Sequence, residues 1–135
     1  MNFDHLKSNL SIKVYYEDTD AGGIIYHSKY LNFAERGRSE FLGERNLQQS
    51  KVYNKYKIRF VVRSLEVSYK KTASLDDVID LFTSVKFLNK AKIVFNQIFY
   101  KKKNIICKIE AVVCCIDKNE KVTKIPSDLY YKLIN

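Results

Sequence analysis

Three acidic side chains near the N-terminal end of the chain are followed by two glycines and a predicted helix. Glu17, Asp18 and Asp20 crowd a short segment, and Gly22 and Gly23 come directly afterwards. A residue without a Cβ lets the backbone approach a ligand or another segment closely. A helix N-terminus presents unpaired N–H groups and the positive end of its dipole. A carboxylate beside it suits chemistry on a carbonyl, because one group delivers the nucleophile and the other receives the charge on oxygen.

The periodicity of apolar residues predicts the elements that hold this segment. Residues 11–17 alternate and predict a strand, and residues 18–25 form a loop, which we call the acidic loop. Ser28 is the predicted N-cap of the following helix, because its hydroxyl can accept a bond from an N–H two or three residues on. An apolar stripe at helical spacing predicts that this helix packs on a sheet; its members are Tyr30, Phe33, Ala34, Gly37 and Phe41.

Glycines mark the middle and the end of the predicted helix. Gly37 costs about 1 kcal/mol of helix stability relative to alanine, and close packing against a sheet would offset that cost. Either Gly43 or Asn46 ends the helix.

The rest of the chain reads mainly as strands joined by short turns. Residues 46–57 show no clean period and are interpreted as a connection, and Pro126 opens a short final helix as its first residue. Short connections predict antiparallel neighbours. The strands are predicted at 58–69, 78–88, 92–102 and 105–117. The sequence therefore predicts one α+β domain over residues 1–135, with a five-stranded antiparallel sheet curled around one long helix.

Composition narrows the range of partners. The 135 residues carry a net charge of +9, which admits nucleic acid, an anionic membrane or a phosphate-bearing small molecule. Cys107, Cys114 and Cys115 lie in one predicted strand, and with only two histidines they predict reduced buried thiols rather than a zinc site. No cofactor or metal is expected. The start of the chain lacks the pattern of a secretory signal, and a cytoplasmic location is expected.

The acidic loop and its surroundings resemble a known family, the YbgC-type acyl-CoA thioesterases, which are relatives of 4-hydroxybenzoyl-CoA thioesterase. The matching residues begin with Tyr16-Glu17-Asp18-Thr19-Asp20-Ala21-Gly22-Gly23 and continue with Tyr26-His27, Tyr30, Glu35, Arg38 and Glu40. A second match is Phe60-Val61-Val62-Arg63, followed by Val67, Tyr69, Ala73 and Leu75-Asp76-Asp77. The resemblance implies the hotdog fold and the hydrolysis of an acyl-CoA or acyl carrier protein thioester.

The resemblance also implies roles for single residues. Asp20 occupies the catalytic position and would attack the thioester carbonyl directly or activate a water that does. His27 would contribute its backbone N–H to the thioester oxygen, with a direct role of the imidazole as the alternative. The expected substrate-binding residues are Gly23, Tyr26, Tyr30, Val62 and Arg63. Arg63 meets either a coenzyme A phosphate or a carboxylate in a subunit interface.

Several alternatives stay open at this point. A hotdog dehydratase needs a histidine base across an interface, which His27 beside the acidic loop fits poorly. A basic nucleic-acid-binding module would need exposed aromatics between lysines on a sheet face, and nucleic acid is not the expected partner. An acyl-CoA sensor would keep the pocket without a competent Asp20. Apolar residues on both faces of the strands at 58–69 and 92–102 predict a homodimer or homotetramer. Relatives associated with the cell envelope suggest a further partner there.

Overall fold

Six antiparallel strands and three helices are found in the computed structural model, which describes residues 2–135. The strands join in the order β1-β3-β4-β5-β2, and β6 pairs with β5. The strands are β1 (Lys7–Lys13), β2 (Ile58–Tyr69), β3 (Val78–Leu88), β4 (Ile93–Lys101), β5 (Asn104–Asp117) and β6 (Val122–Thr123). The helices are α1 (Lys29–Gly43), α2 (Gln49–Tyr56) and α3 (Ser127–Ile134).

Helix α1 lies on the inner face of the sheet and buries the predicted apolar stripe. Its first half packs into one apolar cluster with Phe33 and Ala34, and its second half packs into another with Phe41 and Leu42. Gly37 lies between the two halves, where an added Cβ would come 2.6 Å from Leu81 Cδ2 and 2.8 Å from Thr83 Oγ1. The predicted close approach of this glycine to the sheet is confirmed. The α+β class and the sheet curled around α1 are confirmed as well, but the sheet has six strands rather than the predicted five, because the short strand β6 adds to β5.

The first strand lies four residues earlier than predicted. The alternation over residues 11–17 does follow the side that faces the core, since Ile12 in β1 and Val14 just after it are both buried. The chain stops pairing with β3 at Lys13, however, and residues Tyr16–Asp18 form a turn of 3-10 helix. The boundary was wrong because alternation reports which side a residue faces and says nothing about whether a partner strand is present.

Two helices depart from the sequence prediction. The segment 46–57, interpreted as a connection, contains α2, in which only Val52 is fully buried. A single buried residue leaves too weak a stripe to be recognised as a helical period. Pro126 is the N-cap of α3 and not its first residue.

The strand order corrects one further expectation. Sequence neighbours were predicted to pair, but β3 pairs with β1 and β4, while β2 pairs with β5 at the opposite edge. The eight residues between β2 and β3 reach at most about 28 Å, which is enough to cross to the other edge of a curled sheet. Strand β2 is consequently left at the end of the sheet.

The three cysteines are buried and free, as predicted. Burial raises the pKa of the Cys107 and Cys115 thiols to about 12, so both stay protonated at neutral pH. Nothing about them indicates a reactive thiol.

Candidate active site

Asp20 closes a tight turn in the acidic loop. Its backbone N–H donates to the Ile24 carbonyl at 2.9 Å, and its own carbonyl accepts from Gly23 at 3.0 Å. Its carboxylate Oδ1 accepts from the Gly22 N–H at 2.8 Å. Gly23 has a φ of +80°, in the left-handed region that favours glycine. The turn holds the Asp20 side chain at the surface, where water or a substrate can reach it.

Asp18 anchors the same loop from inside the protein. Its side chain is buried, and Oδ2 accepts from the Tyr15 N–H at 2.9 Å. Its Oδ1 lies 3.7 Å from the Lys29 ammonium. The Asp18 carbonyl accepts from the Tyr26 N–H at 2.9 Å, and residues Thr19 and Ile25 form a bridge. These bonds fold the loop back so that Asp20 lies on the segment that leads into α1.

The residues before α1 present free donors. Among residues 2–135, no acceptor forms a hydrogen bond with the backbone N–H of His27 or Ser28. Ser28 is the N-cap, as predicted, but it has a helical conformation and its hydroxyl makes no capping bond, which corrects the predicted mechanism. The start of α1 therefore keeps the unpaired N–H groups that can receive negative charge. The His27 imidazole is exposed and lies against the Tyr26 ring, with centroids 4.5 Å apart.

Tyr26 and Tyr30, both predicted to bind substrate, have different surroundings. Tyr26 is exposed beside His27, whereas Tyr30 is buried with its ring 5.3 Å from Phe99 and 5.7 Å from Tyr69. Burial raises the pKa of Tyr30 to about 12, with smaller effects of Cys107 and Tyr69. Tyr30 is therefore a neutral residue of the core beneath the helix start, and only Tyr26 lies on the open side.

The turn at residues 73–77 supports the acidic loop from the other side. The Ala73 carbonyl accepts from Ile25, and the Leu75 N–H donates to the Gly23 carbonyl. Asp77 holds this turn, since its Oδ2 accepts from the Ser74 N–H at 2.7 Å and lies 2.9 Å from the Lys101 ammonium. Sequence reasoning treated this segment only as a turn. The signal was an aspartate three residues after a serine, a spacing that suits a side chain bonded to a turn N–H.

A cavity of about 330 Å³ lies near the N-terminal end of β2, beside Phe60–Val62, and we call it the β2 cavity. Val62 lines it, but the other predicted site residues do not. Its polar lining comes from Glu35, Arg38 and Gln49, and its apolar lining includes Leu42, Phe60, Val62, Ile93, Phe95 and Val113. The structure thus brings Asp20, Gly23, Tyr26 and His27 together and places Val62 elsewhere.

Arg38 is held rigidly at the β2 cavity. It is 7% exposed, and its Nη1 donates to Gln97 Oε1 at 2.8 Å. Gln97 Nε2 donates in turn to the Ala34 carbonyl at 2.8 Å and to Thr83 Oγ1 at 3.0 Å. Burial lowers the pKa of Arg38, partly opposed by Glu35. Glu35 precedes Arg38 by three residues on the helix, a spacing that allows an ion pair, but none joins the two side chains within the described chain.

Gln97 was missed because it is one polar residue among the buried, inward-facing positions of β4, which are otherwise apolar. It lies opposite Thr83 on the inner face of β4. A glutamine among apolar inward positions is the signal that could have identified it, since buried amides need partners.

Arg63 lies at an irregularity of β2. The pairing with β5 shifts between Val62 and Ser64, which leaves Arg63 as the extra residue of a bulge. Its side chain is exposed, and no carboxylate between Asn2 and Asn135 lies within 4.0 Å of it. Bulges redirect side chains at sheet edges, so this arginine is available to a ligand or to another subunit.

Over residues 2–135, no group of three or more His, Cys, Asp or Glu side chains is arranged to hold a metal ion. In the same residues, no helix combines the length and the apolar character needed to cross a lipid bilayer.

Comparison with known proteins places this geometry in a family. The model of the thioesterase-like superfamily matches residues 14–133. The chain belongs to the thioesterase-like superfamily. It is 39% identical over 106 residues to the acyl-CoA thioesterase YbgC of Haemophilus influenzae, covering 78% of each chain. It is 40% identical over 88 residues to YbgC of Helicobacter pylori, covering 65% of this chain and 63% of that protein.

Solved structures of the superfamily share the fold. A probable thioesterase from Bartonella henselae superimposes with a TM-score of 0.85 at 27% identity, covering 89% of this chain and 99% of that one. A mutant 4-hydroxybenzoyl CoA thioesterase complexed with 4-hydroxybenzoyl CoA has a TM-score of 0.88 at 15% identity, covering 96% and 99%. The predicted resemblance to YbgC-type thioesterases, the hotdog fold and the thioester hydrolase class are confirmed at the level of the family. The dehydratase and nucleic-acid-binding alternatives are not favoured.

Proposed function

We propose that this protein hydrolyses the thioester of an acyl-CoA to a free acid and coenzyme A. The observation that carries the proposal is the surface carboxylate of Asp20, held in a tight turn of the loop that leads directly into the free N–H groups at the start of α1. The family membership and the identity to YbgC proteins support the same reaction. Acyl carrier protein remains the alternative carrier, because it presents the same thioester.

In this mechanism Asp20 and the helix start act on opposite sides of the carbonyl. The Asp20 carboxylate either attacks the thioester carbon or removes a proton from a water that attacks it. The carbonyl oxygen gains negative charge and is stabilised by the His27 backbone N–H and the positive end of the α1 dipole. The carbon–sulfur bond breaks, the thiol of coenzyme A leaves, and water supplies the oxygen of the acid. The His27 side chain is not required for these steps.

A homodimer through β2 is part of the proposal. β2 is a sheet edge of twelve residues, and several of its apolar side chains are exposed, including Val62, Leu65 and Tyr69. A long edge with apolar side chains is a template for pairing with another chain. The other edge, β1, has seven residues with a lysine at each end, which disfavours pairing. When two β2 strands pair antiparallel, each copy offers the other the same hydrogen-bonding groups, as a two-fold interface requires. A tetramer built from two such dimers stays possible.

Antiparallel pairing would bring the two separated regions together. It places the Tyr69 end of one β2 strand beside the Phe60–Val62 end of the other, so the acidic loop of one copy faces the β2 cavity of its partner. We assign the acyl group to that cavity, with Val62 on its wall. Arg63 and the surplus of lysines suit the phosphates of coenzyme A. A cytoplasmic location belongs to the proposal, whereas no cell-envelope partner is proposed.

A panel of acyl-CoA thioesters tests the proposal, with the released thiol measured by a colour reagent. We expect Asp20→Asn to lower turnover by roughly 10²–10⁴, because the amide keeps the shape of the side chain but lacks its basicity. Glu17→Gln is the matched control, since Glu17 is an exposed carboxylate of the same segment. It should retain wild-type turnover.

Two results would contradict the proposal in whole or in part. One is an Asp20→Asn variant as fast as wild type on the best thioester, which would contradict the role of Asp20 in the reaction and not the hydrolysis itself. The other is tight binding of acyl-CoA with no thiol released from any member of the panel, which would indicate a sensor. Binding by Asp20→Asn should persist in either case, because the helix start and the basic residues are unchanged.

A further inference from the structure

Tyr69 joins the end of β2 to the start of α1. Its hydroxyl donates to the His27 carbonyl at 2.9 Å, across 42 positions of sequence. Its ring meets the His27 ring edge-on, with centroids 6.4 Å apart, and lies 5.7 Å from the Tyr30 ring. The ring is 49% exposed, so one side of it borders the open side of the helix start. No role for Tyr69 follows from the reaction described above.

The carbonyl that Tyr69 contacts lies outside the hydrogen bonds of the helix. The N–H four residues on, that of Leu31, donates to Ser28 at 3.1 Å and leaves the His27 carbonyl without a helical partner. Tyr69 is the donor to this carbonyl within residues 2–135. The peptide between His27 and Ser28 is therefore anchored by a side chain from another element.

That peptide directly follows the His27 N–H, which is the proposed donor to the thioester oxygen. The His27 carbonyl and the Ser28 N–H belong to one planar unit, so a bond to the carbonyl fixes the direction of the N–H. A hydrogen bond to the carbonyl also polarises the amide and strengthens its N–H as a donor. The same anchor restrains the His27 backbone, whose N–H lies one peptide earlier. Electrostatic stabilisation depends on such donors being fixed before the charge develops.

Tyr69 is itself well fixed. It is paired with Cys107 across the sheet, and the next residue, Lys70, donates to the Ile106 carbonyl at 2.8 Å. Burial of its hydroxyl raises the pKa of Tyr69, with a further contribution from Cys107, so the group stays protonated as a donor. The buried ring of Tyr30 supports it from below.

We propose that Tyr69 is a positioning residue for the oxyanion site, because its hydroxyl clamps the His27–Ser28 peptide and aims the free N–H groups at the thioester oxygen. The inference rests on the proposed thioester hydrolysis and deepens it. Tyr69 belongs to the second stretch that resembles the family. It would affect the reaction by holding the backbone of His27, which belongs to the first stretch.

The test is Tyr69→Phe, which removes the hydroxyl and keeps the ring. Loss of one anchoring hydrogen bond should lower kcat about tenfold, while KM changes less than about twofold because the substrate-facing surface is kept. Tyr53→Phe is the matched control, since Tyr53 lies on α2 and does not contact the acidic loop or the start of α1. It should leave both constants unchanged.

A vibrational measurement separates positioning from a merely structural role. In an Asp20→Asn background the thioester stays intact, and its carbonyl stretch, isotope-labelled with ¹³C, reports how strongly the oxygen is polarised. We expect the stretch to move to lower frequency on binding, and this shift to shrink when Tyr69→Phe is added. The melting temperature of both proteins should agree within a few degrees.

Three outcomes would contradict the proposed role of Tyr69. A Tyr69→Phe protein with wild-type kcat, or with a lower kcat and an unchanged carbonyl shift, overturns the role of Tyr69. A change confined to KM overturns it too. These results leave the proposed function standing as long as wild type releases thiol from a member of the panel. If wild type releases no thiol from any of them, the proposed function itself fails; an Asp20→Asn variant as fast as wild type would contradict only the role of Asp20.

Discussion

The acidic loop and the β2 cavity are built in different ways. The loop and the two residues that follow it draw their chemical groups from ten consecutive residues, Asp18 to His27, and most of their hydrogen bonds join residues a few positions apart. The walls of the cavity come from α1, α2, β2, β4 and β5. The groups assigned to the reaction are thus specified locally, whereas the space assigned to the acyl group exists only after distant elements have packed.

The two regions also lie at opposite ends of α1 and β2. Lys29 at the start of α1 and Arg38 at the cavity are nine residues apart, or about 14 Å along a helix. Tyr69 at the end of β2 contacts the helix start, while Phe60 near its beginning lines the cavity. Within one chain the regions are separate, which is why their union is proposed between two copies.

Mixed dimers give the largest expected effect. Asp20→Asn inactivates the loop, and Val62→Trp fills the cavity, so each homodimer should be nearly inactive. A dimer that combines one copy of each holds one intact site and should regain about half the wild-type rate. The measurement uses two affinity tags, purification of the mixed species and thiol release, with sedimentation to show that each protein is still a dimer.

Activity confined to one chain predicts a different result. Mixed dimers would then be as inactive as the two parents, and the composite site would be wrong. A Val62→Trp homodimer with wild-type turnover would instead show that the β2 cavity does not hold the acyl group.

Gly37→Ala tests the close contact of α1 with the sheet, at a position between the two regions. The new Cβ would meet Leu81 and Thr83 at less than 3.0 Å, so we expect the free energy of unfolding to fall by about 1–3 kcal/mol. Gly43→Ala is the control, because no atom lies within 4 Å of its added Cβ and alanine favours a helix. Chemical denaturation of both variants checks the difference. Equal stabilities would mean that α1 shifts away from the sheet at little cost.

Asp77→Asn is expected to have the smallest effect, through the turn that supports the acidic loop. The hydrogen bond from Lys101, followed by that from the Ser74 N–H, lowers the pKa of Asp77. A lowered pKa in the folded state means that the stabilisation is present above the unfolded pKa of about 3.9 and is lost as the pH falls through the folded value. At neutral pH the variant should lose at most about 1 kcal/mol, the scale of a surface ion pair.

The dependence on pH distinguishes this ion pair from a general weakening of the turn. Melting temperatures of wild type and Asp77→Asn should differ by a constant amount near pH 7 and converge in acid. Asp76→Asn is the neighbouring control and should match wild type throughout, since its backbone lies in the left-handed region that asparagine tolerates. A gap that persists in acid would assign the effect to the backbone of the turn.

Much of the fold could be predicted from the sequence because it depends on short periods. The apolar stripe of α1 and the alternation in β3, β4 and β5 reflect which side of an element is buried, and that information is local. The sequence pattern missed α2, where only Val52 is fully buried, and misplaced the first strand. Both errors concern segments whose structure is decided by what they pack against.

The chain by itself determined the acidic loop: the types and spacing of Asp18, Asp20 and Gly23 specify a tight turn before a helix, and the family match carried their chemistry. Only the tertiary structure decided that Asp18 is the buried anchor, that Gln97 rather than Glu35 partners Arg38, and that Tyr69 reaches His27. The physical reason is the distance along the sequence between the residues that make each contact. A turn is closed by hydrogen bonds between near neighbours, whereas these contacts join residues 42 to 59 positions apart or depend on burial that the whole sheet creates.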